Sequence, residues 1–174
     1  MFSVTRQAVP DDSLLKTYRG GARPELWGAY GDCFAVSVDR AVSLADFVFA
    51  FYTSAPFRIE RMILRIVLKA PSTDGQAHAV ADGCGGSFAV WYVGARSATQ
   101  LLMCDRYERT RSWFRVVPLD EGRTLLQFGS AVAASRSPRS SGPTSSLLSR
   151  FHVLYSQILL HSAKAGVERA VTSR

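Results

Sequence analysis

The chain has 174 residues, of which 47% are hydrophobic and 20% are charged, and its formal net charge is +7. That length suits a single domain with one core, and the composition excludes an intrinsically disordered chain. No stretch of about 18 residues is both apolar and free of charge, so no membrane-spanning helix is expected.

The N-terminal residues, the cysteines and the basic residues of 136–174 indicate which compartment, cofactors and partners to expect. Arg6 lies where a signal peptide would need an unbroken apolar run, which predicts a cytoplasmic protein. The chain has three cysteines, Cys33, Cys84 and Cys104. Their spacing matches no metal site, and no metal or other cofactor is predicted. Basic residues dominate 136–174 but are scattered singly, unlike those of nucleic-acid grooves, so no nucleic-acid partner is expected.

Residues 1–30 contain turn formers and few periodic apolar positions, which predicts an N-terminal arm. The residues expected to anchor this arm by burial are Leu14, Leu15, Tyr18, Leu26 and Trp27. From residue 31 to 174 the chain is predicted to form one domain. Its first strand is indicated by the alternation of Phe34, Val36 and Val38 with smaller or polar residues.

Two short helices are predicted after this strand. Ser43, followed three residues later by Asp46, is typical of a helix start, and apolar residues at helical spacing continue to Tyr52. The second helix starts at Pro56 and is stopped by Pro71. Its apolar positions are Ile59, Met62, Ile63, Ile66 and Val67, and another of its faces carries Arg58, Arg61, Arg65 and Lys69. We interpret it as a solvated basic face above a buried apolar stripe; a face for a membrane surface or an anionic partner is the alternative.

The second half of the chain is predicted to be a run of strands and one helix. Residues 72–76 and the glycine-rich run 82–86 are interpreted as loops, and His78 is placed at a strand start. Four strands are predicted at 88–93, 99–104, 111–117 and 124–132, joined as consecutive antiparallel hairpins. Residues 136–146, rich in Ser, Pro and Arg, are predicted to be a mobile loop.

The last element is a long helix, because apolar residues recur three and four apart from Leu147 to Leu159. This helix must bury its apolar face, and the concave side of a curved sheet is the large apolar surface available. The predicted fold class is therefore α+β, with a curved antiparallel sheet wrapped around a long C-terminal helix.

The order of elements from Gly31 to Val171, the paired short helices and the run Leu148-Ser149-Arg150-Phe151-His152 resemble the START and pollen-allergen-like (SRPBCC) superfamily of polyketide cyclases and lipid carriers. The resemblance, to uncharacterised bacterial members, implies the helix-grip fold and a cavity for an apolar ligand between sheet and helix. Some members are enzymes, but no catalytic motif of the superfamily matches this sequence.

Aromatic residues concentrate where such a cavity would lie. The residues predicted to bind the ligand are Tyr92, Trp113, Arg115, Phe128, Phe151, His152 and Tyr155. Tyr92 or Tyr155 would add a hydroxyl to an apolar wall, and Arg115 interrupts a predicted strand, either on the solvent face or as a buried cation. Packing in a filled core explains the same aromatic residues without a ligand.

Three functions remain open. The favoured one is binding or carriage of a small apolar ligand. The first alternative is a cyclase- or dehydratase-type enzyme for a polyketide-like or aromatic small molecule, which requires Asp105, Arg115, His152 or Tyr155 to meet in one site. The charged run 105–111 is otherwise interpreted as a solvated hairpin tip. The second alternative is a protein-association module, since residues 88–93 are apolar on both faces. Its partner could be a second copy of the chain, which would give a homodimer.

Overall fold

A computed structural model of the chain describes residues 4–21, 31–133 and 143–170, with only the backbone for 143–152. Strands β1 to β7 span Thr5–Gln7, Gly31–Val38, Ser87–Phe88, Trp91–Arg96, Gln100–Asp105, Thr110–Pro118 and Thr124–Val132. Helices α1 to α5 span Leu14–Thr17, Leu44–Tyr52, Ala55–Val67, Asp74–Asp82 and Pro143–Arg169. The predicted anchors Leu26 and Trp27, and residues 136–142 of the predicted loop, lie outside the described residues.

The strands form one antiparallel sheet in the order β1-β2-β7-β6-β5-β4-β3, and α5 lies across its concave face with α2. This arrangement is the helix-grip architecture, and the predicted fold class is confirmed. Side chains alternate between the two faces of the sheet, so Phe114 points to the concave face while its neighbour Trp113 points to the convex face.

The concave face is filled by aromatic rings around Phe51 of α2. The Phe51 ring lies 4.8 Å from that of Phe114 on β6 and 4.7 Å from that of Phe128 on β7. It also contacts the rings of Phe47, Tyr52 and Phe57. Burying such large rings together supplies most of the driving force for closing the sheet over its helices.

The described residues of the N-terminal arm, 4–21, pack against both an edge and a face of the sheet. β1 pairs with β2 at one edge of the sheet, and α1 covers the convex face, where Leu15 packs into a cluster with Trp113. Gln100 joins the two layers, because its side-chain oxygen accepts hydrogen bonds from the backbone N–H of Leu14 at 3.0 Å and from Nε1 of Trp113 at 2.8 Å. The part of the convex face beneath α1 is therefore covered rather than solvated.

Residues 74–82 form helix α4, so three helices rather than two follow β2, and His78 lies on a helix instead of at a strand start. Thr73 and Gln76 form a capping box at its N-terminus. Gly83 ends the helix with a φ of 82°, a left-handed conformation that glycine adopts without strain. The predicted strand 88–93 is likewise divided into β3 and β4, with Ala89 at a positive φ between them.

The apolar stripe of helix α3 is exposed, whereas the sequence analysis predicted it to be buried. Ile66 is 71% exposed and Ile59 is 57% exposed, whereas Phe57, on the opposite face, is 3% exposed. Phe57 turns that opposite face inward by joining the aromatic core, and Arg61 holds it there through hydrogen bonds to Ser72. The helix is amphipathic as predicted, but its apolar side faces outward.

Candidate functional site

The structure divides the predicted ligand-binding residues between the two faces of the sheet. Phe128 and Tyr155 lie on the concave side with the main core, whereas Tyr92 and Trp113 belong to the convex cluster beneath α1. The side chains of Phe151 and His152 lie outside the described residues. The seven residues therefore do not form one site.

Arg115 lies on the convex side and binds the N-terminal arm. Its two terminal nitrogens donate to the two carboxylate oxygens of Asp12, each at 2.9 Å. This two-pronged geometry is the strongest form of an arginine–carboxylate pair. It explains why a cation interrupts strand β6: Arg115 fastens the arm to the sheet and does not face the concave interior.

Asp105, one of the residues that the enzyme alternative would require in its site, organises the hairpin between β5 and β6. Its buried carboxylate accepts hydrogen bonds from the backbone N–H groups of Tyr107, Arg109 and Thr110 and from the Thr110 hydroxyl. The predicted solvated tip is therefore anchored from within by one acid. With four donors directed at it, this carboxylate has a structural task.

The convex cluster contains two buried thiols, Cys33 and Cys104. Burial raises the pKa of Cys33 to about 11, and burial also raises the pKa of Cys104. Neither is therefore a thiolate at neutral pH, as a nucleophilic cysteine would have to be. Among the described residues, no three His, Cys, Asp or Glu side chains come together as a metal site.

A polar pair on the concave side was not anticipated from the sequence. Glu60 of α3 and Tyr155 of α5 are both half-buried, and the Tyr155 hydroxyl donates to a Glu60 carboxylate oxygen at 2.6 Å. Glu60 is the single acid of α3, and it lies one helical turn after Phe57 on the inward face. That position within the helix was the signal available in the sequence.

Burial dominates the titration of this pair. Loss of water raises the pKa of Glu60, and the hydrogen bond from Tyr155 opposes that shift. The pKa values of Tyr155 and of the fully buried Tyr52 are raised by burial first and by the neighbouring Glu60 second. Both hydroxyls therefore stay protonated, and the Tyr155 hydroxyl donates to Glu60, whose charged form burial makes less favourable than in water.

This shift predicts a pH dependence of stability. Because the pKa of Glu60 is higher in the folded chain than in the unfolded chain, the folded state binds more protons, and stability falls as pH rises through the interval between the two values. We expect Glu60→Gln to remove this fall, since an amide oxygen still accepts from Tyr155 but carries no charge. Urea unfolding across that pH interval measures it. An equally steep fall of stability with pH in Glu60→Gln would contradict this prediction. The control is Glu121→Gln, at an exposed turn, which should keep the fall.

Apolar residues surround the inner side of α3. The Phe57 ring lies 5.7 Å from that of Trp91, and Trp91 and Val93 are half-buried on the concave face of β4. Leu64, one turn after Glu60, is also half-buried. Around the inner side of α3, aromatic and aliphatic side chains are therefore only partly covered.

A second polar pair lies on the sheet. The Ser130 hydroxyl donates to Asp32 at 2.6 Å, and both residues are buried. Lys164 of α5 donates a hydrogen bond to the carbonyl of Ser37 on β2, and this contact fixes the two elements relative to each other. Tyr155 precedes Lys164 by about 14 Å along α5, and Asp32 precedes Ser37 by about 17 Å along β2. Because α5 and β2 run in the same direction here, both polar pairs lie toward the same end of the concave face.

A cleft of about 930 Å³ lies on the outer side of the helices, between α2, α4 and α5. His78 and Asp82 line it and form a pair at 2.8 Å, and the ring of Phe49 contacts that of His78. Its remaining charged lining residues are Arg40, Asp46, Arg58 and Arg169. The cleft is separated from the concave interior by the core rings of α2.

No family model matches the chain, and no curated protein is similar to it. CalU16 from Micromonospora echinospora is similar in structure with a TM-score of 0.33 and 12% identity, over 97% of this chain and 94% of that protein. A conserved protein of unknown function from Enterococcus faecalis has a TM-score of 0.35 and 7% identity, over 94% of each chain. None of the helices in the described part of the chain is long and apolar enough to cross a membrane.

Proposed function

We propose that the chain binds a small, mainly apolar ligand between the concave face of the sheet and α5, at the end where α3 meets α5. The observation that supports this most directly is the Glu60–Tyr155 hydrogen bond, which sets a polar pair among half-buried apolar side chains. Ligand sites are commonly apolar with a few polar groups that fix orientation. Phe128 and Trp91 would supply apolar contact, and Tyr155 and Glu60 would bind a polar group of the ligand.

The hydrogen-bonding groups of the pair indicate the ligand's polar group. The Tyr155 hydroxyl, which donates to Glu60 in the structure, can rotate to donate to a carbonyl oxygen of a ligand. Loss of water raises the pKa of Glu60, so burial disfavours negative charge here, and a ligand carboxylate would place a further negative charge beside a buried acid. Carriage of a neutral ketone- or ester-containing molecule is therefore favoured over carriage of a fatty acid.

A titration with the neutral naphthyl ketone Prodan, whose emission reports on its surroundings, tests this proposal. We expect Tyr155→Phe to weaken binding by about 1 kcal/mol, or about fivefold, because one hydrogen bond is lost while the ring remains. The matched control is Tyr107→Phe, at an exposed tyrosine of the β5–β6 hairpin, which should bind as the parent chain does. Equal affinities for all three chains, or no binding, would contradict the proposal. Native mass spectrometry of the purified chain would detect a co-purified ligand.

The same pair favours a second candidate function, an acid–base enzyme of the cyclase or dehydratase type. A carboxyl group with a raised pKa, hydrogen-bonded to a tyrosine, has the properties of a general acid or base. Asp105 and Arg115 are engaged elsewhere, so the reaction would depend on Glu60 and Tyr155. In that case Glu60→Gln would abolish turnover of a polyketide-like or aromatic substrate while Prodan binding persists. A carrier would show no turnover in either chain.

A further inference from the structure

Helix α3 has a continuous apolar face directed toward solvent. Its members, each exposed by half or more, are Ile59, Met62, Ile63, Ile66 and Val67. They follow the spacing of one helix face, and the opposite face already packs on the core through Phe57. On α5, Leu154 and Ile158 are exposed within one turn of Tyr155, which binds α3 through Glu60. A contiguous apolar surface of this kind marks an interaction site.

Cations border this apolar face on one side. Arg58 and Arg65, seven residues apart, lie along the same edge of α3, and Lys69 is the second residue after the end of the helix. Arg58 pairs with Asp74 at 2.7 Å. No ion pair joins Arg65 or Lys69 to another residue of the described ranges, and both are exposed. The single acid of the helix, Glu60, faces inward.

We propose that α3 docks on the surface of an anionic lipid bilayer, with its apolar face in the headgroup region and its cations against lipid phosphates. Such interfacial helices combine a broad apolar face with basic residues at the polar boundary. At 13 residues the helix is about 20 Å long, which suits lying in the plane of the surface and is too short to span it. The formal net charge of +7 also favours approach to an anionic surface.

The charge pattern favours lipid over a second copy of the chain. Antiparallel pairing of two α3 helices through this face would bring Arg65 of both copies to one rim, where α3 offers no acid to neutralise the two charges. Like charges placed together oppose association. A bilayer that contains anionic lipids meets the apolar face and the cations at once.

Sedimentation with vesicles tests the proposal on the full chain. We expect binding to phosphatidylcholine vesicles that contain phosphatidylglycerol, weaker binding to phosphatidylcholine alone, and a loss of the difference at high salt. Ile66→Glu should lower the partition coefficient by about tenfold or more, since it puts a charge in the apolar face. Arg65→Gln should lower it by about fivefold, from a contribution of about 1 kcal/mol for each basic residue near such a surface.

Matched controls separate this face from general surface effects. Leu119→Glu and Arg106→Gln make the same kinds of change at exposed turns elsewhere, and both should bind vesicles like the parent chain. Equal binding to both vesicle types, or no binding, would overturn the proposal. It would also be overturned if Ile66→Glu converted a dimer to a monomer in light scattering without affecting vesicles. A marked loss of thermal stability in Ile66→Glu would show that the chain itself covers this face, which also overturns it.

The proposed docking face of α3 is distinct from the proposed ligand site. Tyr155→Phe, which is expected to weaken Prodan binding, should leave vesicle binding unchanged because the hydroxyl faces Glu60 and not the apolar face. Vesicle binding without Prodan binding would support the docking surface and contradict the ligand site. The reverse result would support the ligand site alone.

Discussion

Replacement of Phe51 by alanine is expected to cost about 3 to 5 kcal/mol of the free energy of unfolding, the largest single effect predicted for this chain. Phe51 is 2% exposed, and its ring contacts rings from α2, α3, β6 and β7. Removing it opens a cavity at the point where the helices meet the sheet. Urea denaturation at neutral pH would measure the loss as a shift in midpoint at nearly constant slope.

The same helix provides the control for this substitution. Phe49 lies two residues earlier, is half-buried at the outer cleft, and contacts His78 while packing only against the margin of the core. Phe49→Ala should cost clearly less, about 1 kcal/mol, because the site is partly open to water. Similar losses at the two positions would mean that α2 does not present Phe51 to the sheet as described.

Asp105→Ala is expected to cost about 2 to 4 kcal/mol, because it leaves several buried donors of the β5–β6 hairpin without an acceptor. Asn at this position retains one carbonyl oxygen, so Asp105→Asn should lose less. Thermal or urea unfolding measures both variants. Asp120→Ala, at the exposed turn between β6 and β7, is the matched control and should be nearly neutral. A near-neutral Asp105→Ala would contradict the structural task assigned to this carboxylate.

Strand alternation and hairpin spacing predicted most of the sheet, but strand β1, within the predicted N-terminal arm, was missed. Phe34, Val36 and Val38 face the core as expected, and the long helix that ends the described chain lies on the concave face. These signals are strong because one face of each element is large and apolar over several repeats. The predicted bounds of the elements were less accurate. Helix α5, for example, begins at Pro143, within the predicted loop.

Helix α4 was missed although its boundaries are present in the sequence. Thr73 and Gln76 mark its start and Gly83 marks its end, but the helix between them is short and rich in alanine and polar residues. Its apolar periodicity is therefore weak, and the glycine-rich run after it is more typical of a loop. Capping residues carry more information than hydrophobic pattern in such a segment.

The candidate site could be predicted only in part, because strand alternation does not say which face receives the helix. On β6, Trp113 and Phe114 are both buried, and only the placement of α1 over the convex face separates them. The role of Arg115 follows from its contact with Asp12, which is far away in the sequence. The inward position of Glu60 follows from the outward orientation of the apolar face of α3, which the periodicity of the helix alone cannot indicate.

The pairing of β2 with β7 affects how the chain folds. β2 pairs along its whole length with β7, and the register joins Gly31 to Ala131 and Val38 to Thr124. Closing a loop of this size before its contacts form costs chain entropy, so the rate-limiting step should wait for this non-local pairing. During synthesis β2 leaves the ribosome long before β7, and until then α2 has no sheet on which to bury Phe51. The intermediate exposes that aromatic surface, and chaperone binding or aggregation should therefore concentrate in this interval.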